Sequence, residues 1–354
     1  MSGGPSGHDP EAAAVLVSGG RTHMSDPLGG VTIAVLGFGN PGEALALNLR
    51  DSGVAVIVGA RPGGPSEGRA RALGFEALPL AAPAARAGVC AVLLPDESTP
   101  ALWSQIGPAL RPDAGLVFAH GFNLLYADLA FPSAADVVLV SPTGPDRVLR
   151  EVYTRGEGLP AYLAVHRDGS GNAAVLARRY ATALGCHRAR LWPTTVPEET
   201  EVDLFGEQAV LCGGMNALVT AAFEVLVAKG YSPEIAYLEC VHQLKYLADL
   251  LHERGVAGMR QGISGTALFG DLTRGPRVIG EASRAAMERL LDEIRSGAFA
   301  REWAAEVAQG RARLGDEVSR AARHPIEEAR RRALGGGPGL GESPGESRKA
   351  LSKN

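Results

Sequence analysis

The chain has 354 residues, enough for two domains and a sizeable core. Its formal charge is −4 and only 5% of its residues are aromatic, with no stretch interleaving basic and aromatic side chains, so binding to nucleic acid is not expected. The four cysteines (Cys90, Cys186, Cys212 and Cys240) show no zinc spacing, and three lie in apolar runs, which reads as buried thiols in a reducing compartment.

Residues 1–30 are rich in Gly, Ser, Ala and Pro without a sustained period and read as a disordered extension. Residues 334–354, Gly-, Pro- and Ser-rich with a basic finish, read the same way. No apolar run is expected to reach the roughly 20 residues that span a bilayer. The N-terminus lacks the charged and apolar regions of a secretory signal. A cytoplasmic protein with no membrane partner is expected.

Residues 31–195 carry the pattern of a Rossmann domain. Val31-Thr32-Ile33-Ala34-Val35-Leu36 predicts a strand, and Gly37-Phe38-Gly39-Asn40-Pro41-Gly42 follows at once. Glu43 to Asp51 predicts a helix and Val54 to Val58 a second strand. Gly37 permits the tight turn, Gly39 lets the backbone approach a pyrophosphate, and Gly42 allows close helix–strand packing. The two flanking strands separate this GxGxxG from an ordinary glycine-rich turn. After the second strand no Asp or Glu stands ready for ribose hydroxyls. Arg61, Ser66 and, further on, Arg69 suit a 2′-phosphate, which favours NADPH over NADH.

Further strands are predicted over Gly88–Leu94, Gly115–Ala119, Val137–Val140 and Ala161–Val165. Pro95-Asp96 and His120-Gly121 follow two of them directly, where loops of a parallel sheet line the ligand crevice. His120 is a candidate to contact the nicotinamide or relay a proton. The alternative is a histidine hydrogen-bonded for structure.

After Trp192-Pro193 extended runs disappear. Helices are predicted over Asp203–Lys229, Pro233–Glu253, Glu281–Ser296 and Ala298–Arg313, so residues 196–333 are expected to form an all-α domain, which the resemblance given below implies is the metal and substrate domain. Asp203 and Glu207 stand one helical turn apart on one face. Carboxylate oxygens so placed suit a hard cation such as Mg²⁺. A solvated acidic face is the alternative, but the apolar Ala209–Gly214 that follows predicts burial on one flank, where carboxylates need partners. Glu239 and Gln243 repeat the spacing with one charge missing.

Taken together, Gly37–Gly42, Asn48–Gly53, Ala119–Phe122, Glu199–Gly214 and His324–Glu327 resemble the ketol-acid reductoisomerases of the short, class I form. The resemblance runs from about Gly30 to Arg332. It implies an α/β fold, an N-terminal Rossmann domain followed by an all-α, knotted domain, assembled as a homodimer or higher oligomer. It also implies NADPH and two Mg²⁺ ions as cofactors, with an alkyl shift in 2-acetolactate or its ethyl homologue followed by reduction, a step of branched-chain amino-acid biosynthesis. By position, Asp203 would bridge both metals and Glu207 would bind one. Glu239, contributed by the partner subunit, would bind the other with Gln243. Ser264 would hold the substrate carboxylate, and His120 would sit near substrate and nicotinamide.

The chain departs from that family at several positions. Lys is expected where Thr143 stands, Gly-His where Asp146-Arg147 stand, Glu where Gln243 stands and Asn where Gly265 follows Ser264. A glutamine offers only a neutral amide oxygen. The shift needs both metals as Lewis acids, whereas hydride transfer mainly needs orientation and one polarising centre. These changes threaten the shift more than the reduction, so a repurposed member acting on a different keto or hydroxy acid is the alternative.

Overall fold

The computed structural model describes residues 27–335. The extensions expected at 1–30 and 334–354 lie outside these residues, except for 27–30 and 334–335. Leu28 is buried in the core, so the fold begins before Val31. The chain divides into two compact units after Val202.

The first unit alternates β1 (Ile33–Leu36), α1 (Asn40–Asp51), β2 (Val56–Gly59), α2 (Pro65–Ala72), β3 (Glu76–Leu78), α3 (Ala81–Arg86), β4 (Val89–Val92), α4 (Thr99–Ile106), β5 (Gly115–Phe118), α5 (Phe122–Tyr126), β6 (Asp136–Pro142), α6 (Asp146–Thr154), β7 (Ala161–Arg167), α7 (Ala173–Ala183) and β8 (Leu191–Pro193). The sheet order is β3-β2-β1-β4-β5-β6-β7-β8. Strands β1 to β6 run parallel, β7 reverses against β6, and β8 is parallel to β7. The expectation of a parallel sheet therefore holds up to β6.

Strands β1, β4 and β5 are buried at every position, as strands covered by helices on both faces must be. Ile33, Val35, Val89 and Ala91 point to one face, with Leu45 and Leu49 of α1 and Tyr180 of α7 in the same apolar layer. Ala34, Leu36, Cys90 and Val92 point to the other, with Trp103 and Ile106 of α4. Strand order reverses between β1 and β4, which puts a crevice at their carboxyl ends.

The second unit is helical. Helix α8 (Val196–Gly206) runs across the division and passes into a π turn (Glu207–Leu211) and α9 (Gly213–Ala228). Then come α10 (Pro233–Tyr237), a second π turn (Leu238–His242), α11 (Leu244–Gln261), α12 (Gly265–Val278), α13 (Glu281–Arg295), α14 (Ala298–Ala308), α15 (Ala312–Ala321) and α16 (Pro325–Ala333). The sequence predicted the long helices but not the π turns. The first depends on Gly213 and Gly214, where an added Cβ would run into the carbonyls of Gln208 and Ala209. It is closed by the Cys212 amide donating to the Glu207 carbonyl at 2.9 Å.

Three expectations are corrected here. The apolar flank after Glu207 is not buried: Val210 is 55% and Leu211 62% exposed. The stretch Val196–Ala228, 33 residues with a window of mean hydropathy 1.8, is long and apolar enough to cross a bilayer by length and composition. Of the four thiols, Cys90 and Cys186 are buried but Cys212 is exposed. The small apolar cluster of Phe223, Ala236, Tyr237 and Ala329 joins α9, α10 and α16, while Leu218, Val225, Phe269 and Leu272 stay exposed.

Burial pushes the Cys90 and Cys186 thiols from 9.0 up to about 12, and Tyr180 is raised as well. A thiol held neutral in the fold and free to ionise in the unfolded chain stabilises below its unfolded value and loses that contribution as pH rises through its folded one. Stability should therefore fall between about pH 9 and pH 12. Urea midpoints measured across that window test this, and Cys90→Ala should flatten part of the slope.

Candidate functional site

The turn after β1 is shaped by contacts that exclude side chains. Gly37 has φ +100°, and a Cβ there would lie 2.5 Å from the Leu93 carbonyl oxygen beyond β4. A Cβ on Gly42 would run into the Gly37 carbonyl, whereas Gly39 faces open space apart from Pro41. Helix α1 begins with Pro41 in its first turn and no side-chain cap, so its N-terminal amides suit an anion. Phe38 is buried edge-on against Phe75, with ring centroids 5.7 Å apart, and Asn40 is exposed.

Of the residues proposed for a 2′-phosphate, Arg61 is exposed at the end of β2 and Ser66 lies in the first turn of α2. Arg69 has another task. Its guanidinium donates to the Phe38 carbonyl at 3.0 Å and stands 3.8 Å from Glu43, bracing the glycine turn from α2.

The loops after β4 and β5 meet. Asp96 stands 3.4 Å from His120 Nδ1, and Asn123 donates to Asp96 Oδ1 at 2.7 Å and to its backbone carbonyl at 3.3 Å. The Pro95 carbonyl receives the Ser98 and Thr99 amides and so starts α4. The Gly121 amide donates to buried Glu199 of α8 at 3.2 Å. Thr200, also buried, donates to the Val196 carbonyl at 2.8 Å. Asn123 and Glu199 thus hold the His120 loop, a role the sequence did not disclose. The available signal was the polar pair His120 and Asn123 around a glycine, together with an acidic run opening a helix.

Asp203 lies one turn beyond Glu199 on α8, half-buried, and Glu207 opens the first π turn, exposed. Glu239 falls in the second π turn and Gln243 follows it. Such turns interrupt helices frequently at functional positions, and both coincide with the proposed metal ligands. Ser264 is the N-cap of α12, its Oγ accepting from the Ala267 amide at 3.2 Å. The hydroxyl proton and the helix N-terminus remain suited to a carboxylate. Thr143 is exposed after β6, and both its amide and its hydroxyl donate to the Pro160 carbonyl, at 2.9 and 3.0 Å.

The donor set of Asp203, Glu207 and Glu239 is one of hard oxygens and fits a divalent cation such as Mg²⁺. Among the described residues no three His, Cys, Asp or Glu side chains converge in the single chain.

A doubly covered sheet with a glycine turn at its switch point, and a histidine held by an aspartate beside it, defines a nucleotide-dependent oxidoreductase. Residues 27–190 match the acetohydroxy acid isomeroreductase NADPH-binding domain, and residues 196–334 match the ketol-acid reductoisomerase C-terminal domain. The chain belongs to the ketol-acid reductoisomerase family. It is similar to an NADH-preferring ketol-acid reductoisomerase from an uncultured archaeon, at 38% identity and TM-score 0.83 over 86% of this chain and 94% of that one. A semialdehyde dehydrogenase NAD-binding protein from Cupriavidus necator shares the fold, at 19% identity and TM-score 0.58 over 75% of this chain and 99% of that one. The apolar stretch 196–228, made of α8, the first π turn and α9, falls inside the C-terminal match.

Gly121→Ala tests how the His120 loop is held. The new Cβ would run into Thr200 Oγ1 and lie 3.0 Å from Glu199 Oε2. Overpacking of this kind costs about 1–3 kcal/mol. Denaturation should show that loss, and an unchanged midpoint would refute the packing account.

Proposed function

We propose that the chain is an NADPH- and Mg²⁺-dependent enzyme that shifts an alkyl group in 2-acetolactate-like 2-hydroxy-3-keto acids and reduces the product, as in branched-chain amino-acid biosynthesis in the cytoplasm. The observation carrying this is the family match over both halves, supported by the carboxylates Asp203, Glu207 and Glu239 and the hydroxyl of Ser264 at positions the resemblance implies. When bound, the dinucleotide supplies hydride and the cations polarise the substrate oxygens.

The chain's own residues divide the remaining work. Gly37, Phe38, Gly39, Asn40 and Gly42 cradle the pyrophosphate at the N-terminus of α1. Arg61 and Ser66 are the donors toward a 2′-phosphate, although the archaeal relative is described as NADH-preferring. Pro95 and Gly121 shape the two loops at the nicotinamide end. Asp96 beside Nδ1 orients the His120 ring toward a role in proton exchange. Asp203, Glu207, Glu239 and Gln243 would hold the cations, and Ser264 the substrate carboxylate.

One observation favours a second reading, in which reduction outlasts the shift. The Thr143 hydroxyl is bonded to the Pro160 carbonyl and supplies no cation where the family has lysine. Losing one preorganised group of this kind costs about 2.7–4 kcal/mol, on the order of a hundred- to thousandfold in rate. Purified protein should be given NADPH, Mg²⁺ and either 2-acetolactate or the shifted intermediate, 3-hydroxy-3-methyl-2-ketobutyrate. Turnover of both is expected, with the intermediate faster. Turnover of neither, with cofactor bound, would end this proposal. Thr143→Lys combined with Gln243→Glu should raise acetolactate turnover at least about tenfold and leave reduction of the intermediate nearly unchanged.

The partner is a second copy of the chain. The helical unit leaves Val210, Leu211, Leu218, Val225, Phe269 and Leu272 exposed, while its buried apolar cluster is small, and apolar surface of this kind marks an interaction face. Light scattering should return a dimer or larger assembly at micromolar concentration, and a monodisperse monomer would count against this.

A further inference from the structure

A cleft of about 350 Å³ opens inside the second unit, between α14 and α15. Its volume lies in the range of small-molecule sites, about 300–1,000 Å³. Phe299, Glu302, Trp303 and Glu306 line one wall. They stand at i, i+3, i+4 and i+7 along α14, so helical spacing brings them to one face. The chain then reverses through Gly310 and Arg311, whose φ angles are +74° and +60°. The Arg311 amide closes this turn on the Glu306 carbonyl at 2.9 Å. Arg313, Leu314 and Glu317 of α15 line the other wall.

Two of the three carboxylates are neutralised. Glu302 accepts from Arg313 at 2.8 Å, and Glu317 pairs with Arg320 of its own helix at 3.0 Å. Glu306 is the one left over, and it is the most covered, with its side chain 13% exposed. Its Oε1 accepts from the Leu314 amide at 2.9 Å, whereas its Oε2 meets Arg313 Nε only at 3.8 Å, too long for a hydrogen bond.

A covered carboxylate oxygen beside an indole and a phenyl ring suits a cation that carries donors. A bare metal ion does not fit, since among the described residues no three His, Cys, Asp or Glu side chains converge. Aromatic faces favour an organic cation instead. An ammonium brings three donors to the oxygen, and an anion would meet the surplus negative charge.

We propose that this cleft is a binding site for a small primary amine with an apolar body, its ammonium bonded to Glu306 and its body against Phe299, Trp303 and Leu314. The site makes no use of the dinucleotide turn or of the candidate metal ligands, so it stands or falls apart from the reaction assigned above.

The test is titration of the full chain with phenethylamine and with hydrocinnamate, followed by ligand-observed NMR. The two probes have nearly the same shape and opposite charge at neutral pH. Phenethylamine should bind at least about tenfold more tightly. Glu306→Gln keeps an acceptor for the Leu314 amide and removes the charge, so it should weaken phenethylamine about tenfold and leave hydrocinnamate nearly unchanged. Trp303→Leu should weaken phenethylamine by at least about threefold. Equal affinity for the two probes, or no binding of phenethylamine at about 10 mM, overturns the proposal. So does a Glu306→Gln variant that binds phenethylamine as wild type does. Should that variant fail to fold, the wild-type comparison and Trp303→Leu decide the matter: unchanged affinity in Trp303→Leu overturns the site.

Discussion

The first unit depends on how closely the turn after β1 approaches the end of β4. Gly37 has no side chain because the Leu93 carbonyl fills the space one would take, and Gly42 has none because the Gly37 carbonyl does. Those contacts pull the start of α1 against the sheet at the point where strand order reverses. They also fix the carboxyl end of β4, and with it Asp96, next to the β5 end that carries His120. A substitution at either glycine therefore reaches the phosphate turn and the histidine together.

Polar contacts then hold what the apolar layers position. Asn123 orients Asp96, Glu199 secures Gly121 from α8, and Arg69 ties α2 to the glycine turn. Each links segments far apart in sequence, and each joins a loop at the end of a strand to a helix. Loops carry chemistry best when a rigid scaffold constrains them.

The helical unit follows a different logic. Its helices are interrupted where the candidate ligands sit, since a π turn changes the facing of residues that plain helical spacing would align. Glu207 and Glu239 owe their placement to these interruptions. The departures from the family fall in both units. Thr143 is bonded into the β6–β7 connection, and Gln243 keeps an oxygen without a charge.

Much of this was legible in the residues alone. Apolar strand runs, the glycine spacing and the change of composition after Pro193 were enough for a Rossmann domain followed by helices, because each is a local pattern that local sterics and burial impose. The three-residue strands β3 and β8 were not legible, since Glu-Ala-Leu and Leu-Trp-Pro carry too little periodicity. Nor were the π turns, the exposure of Val210 and Leu211, or the task taken by Arg69. Sequence determined which residue types were available at the crevice. Only the tertiary structure decided which were engaged, because Asn123 reaches Asp96 and Glu199 reaches Gly121 through packing between segments that no spacing rule connects.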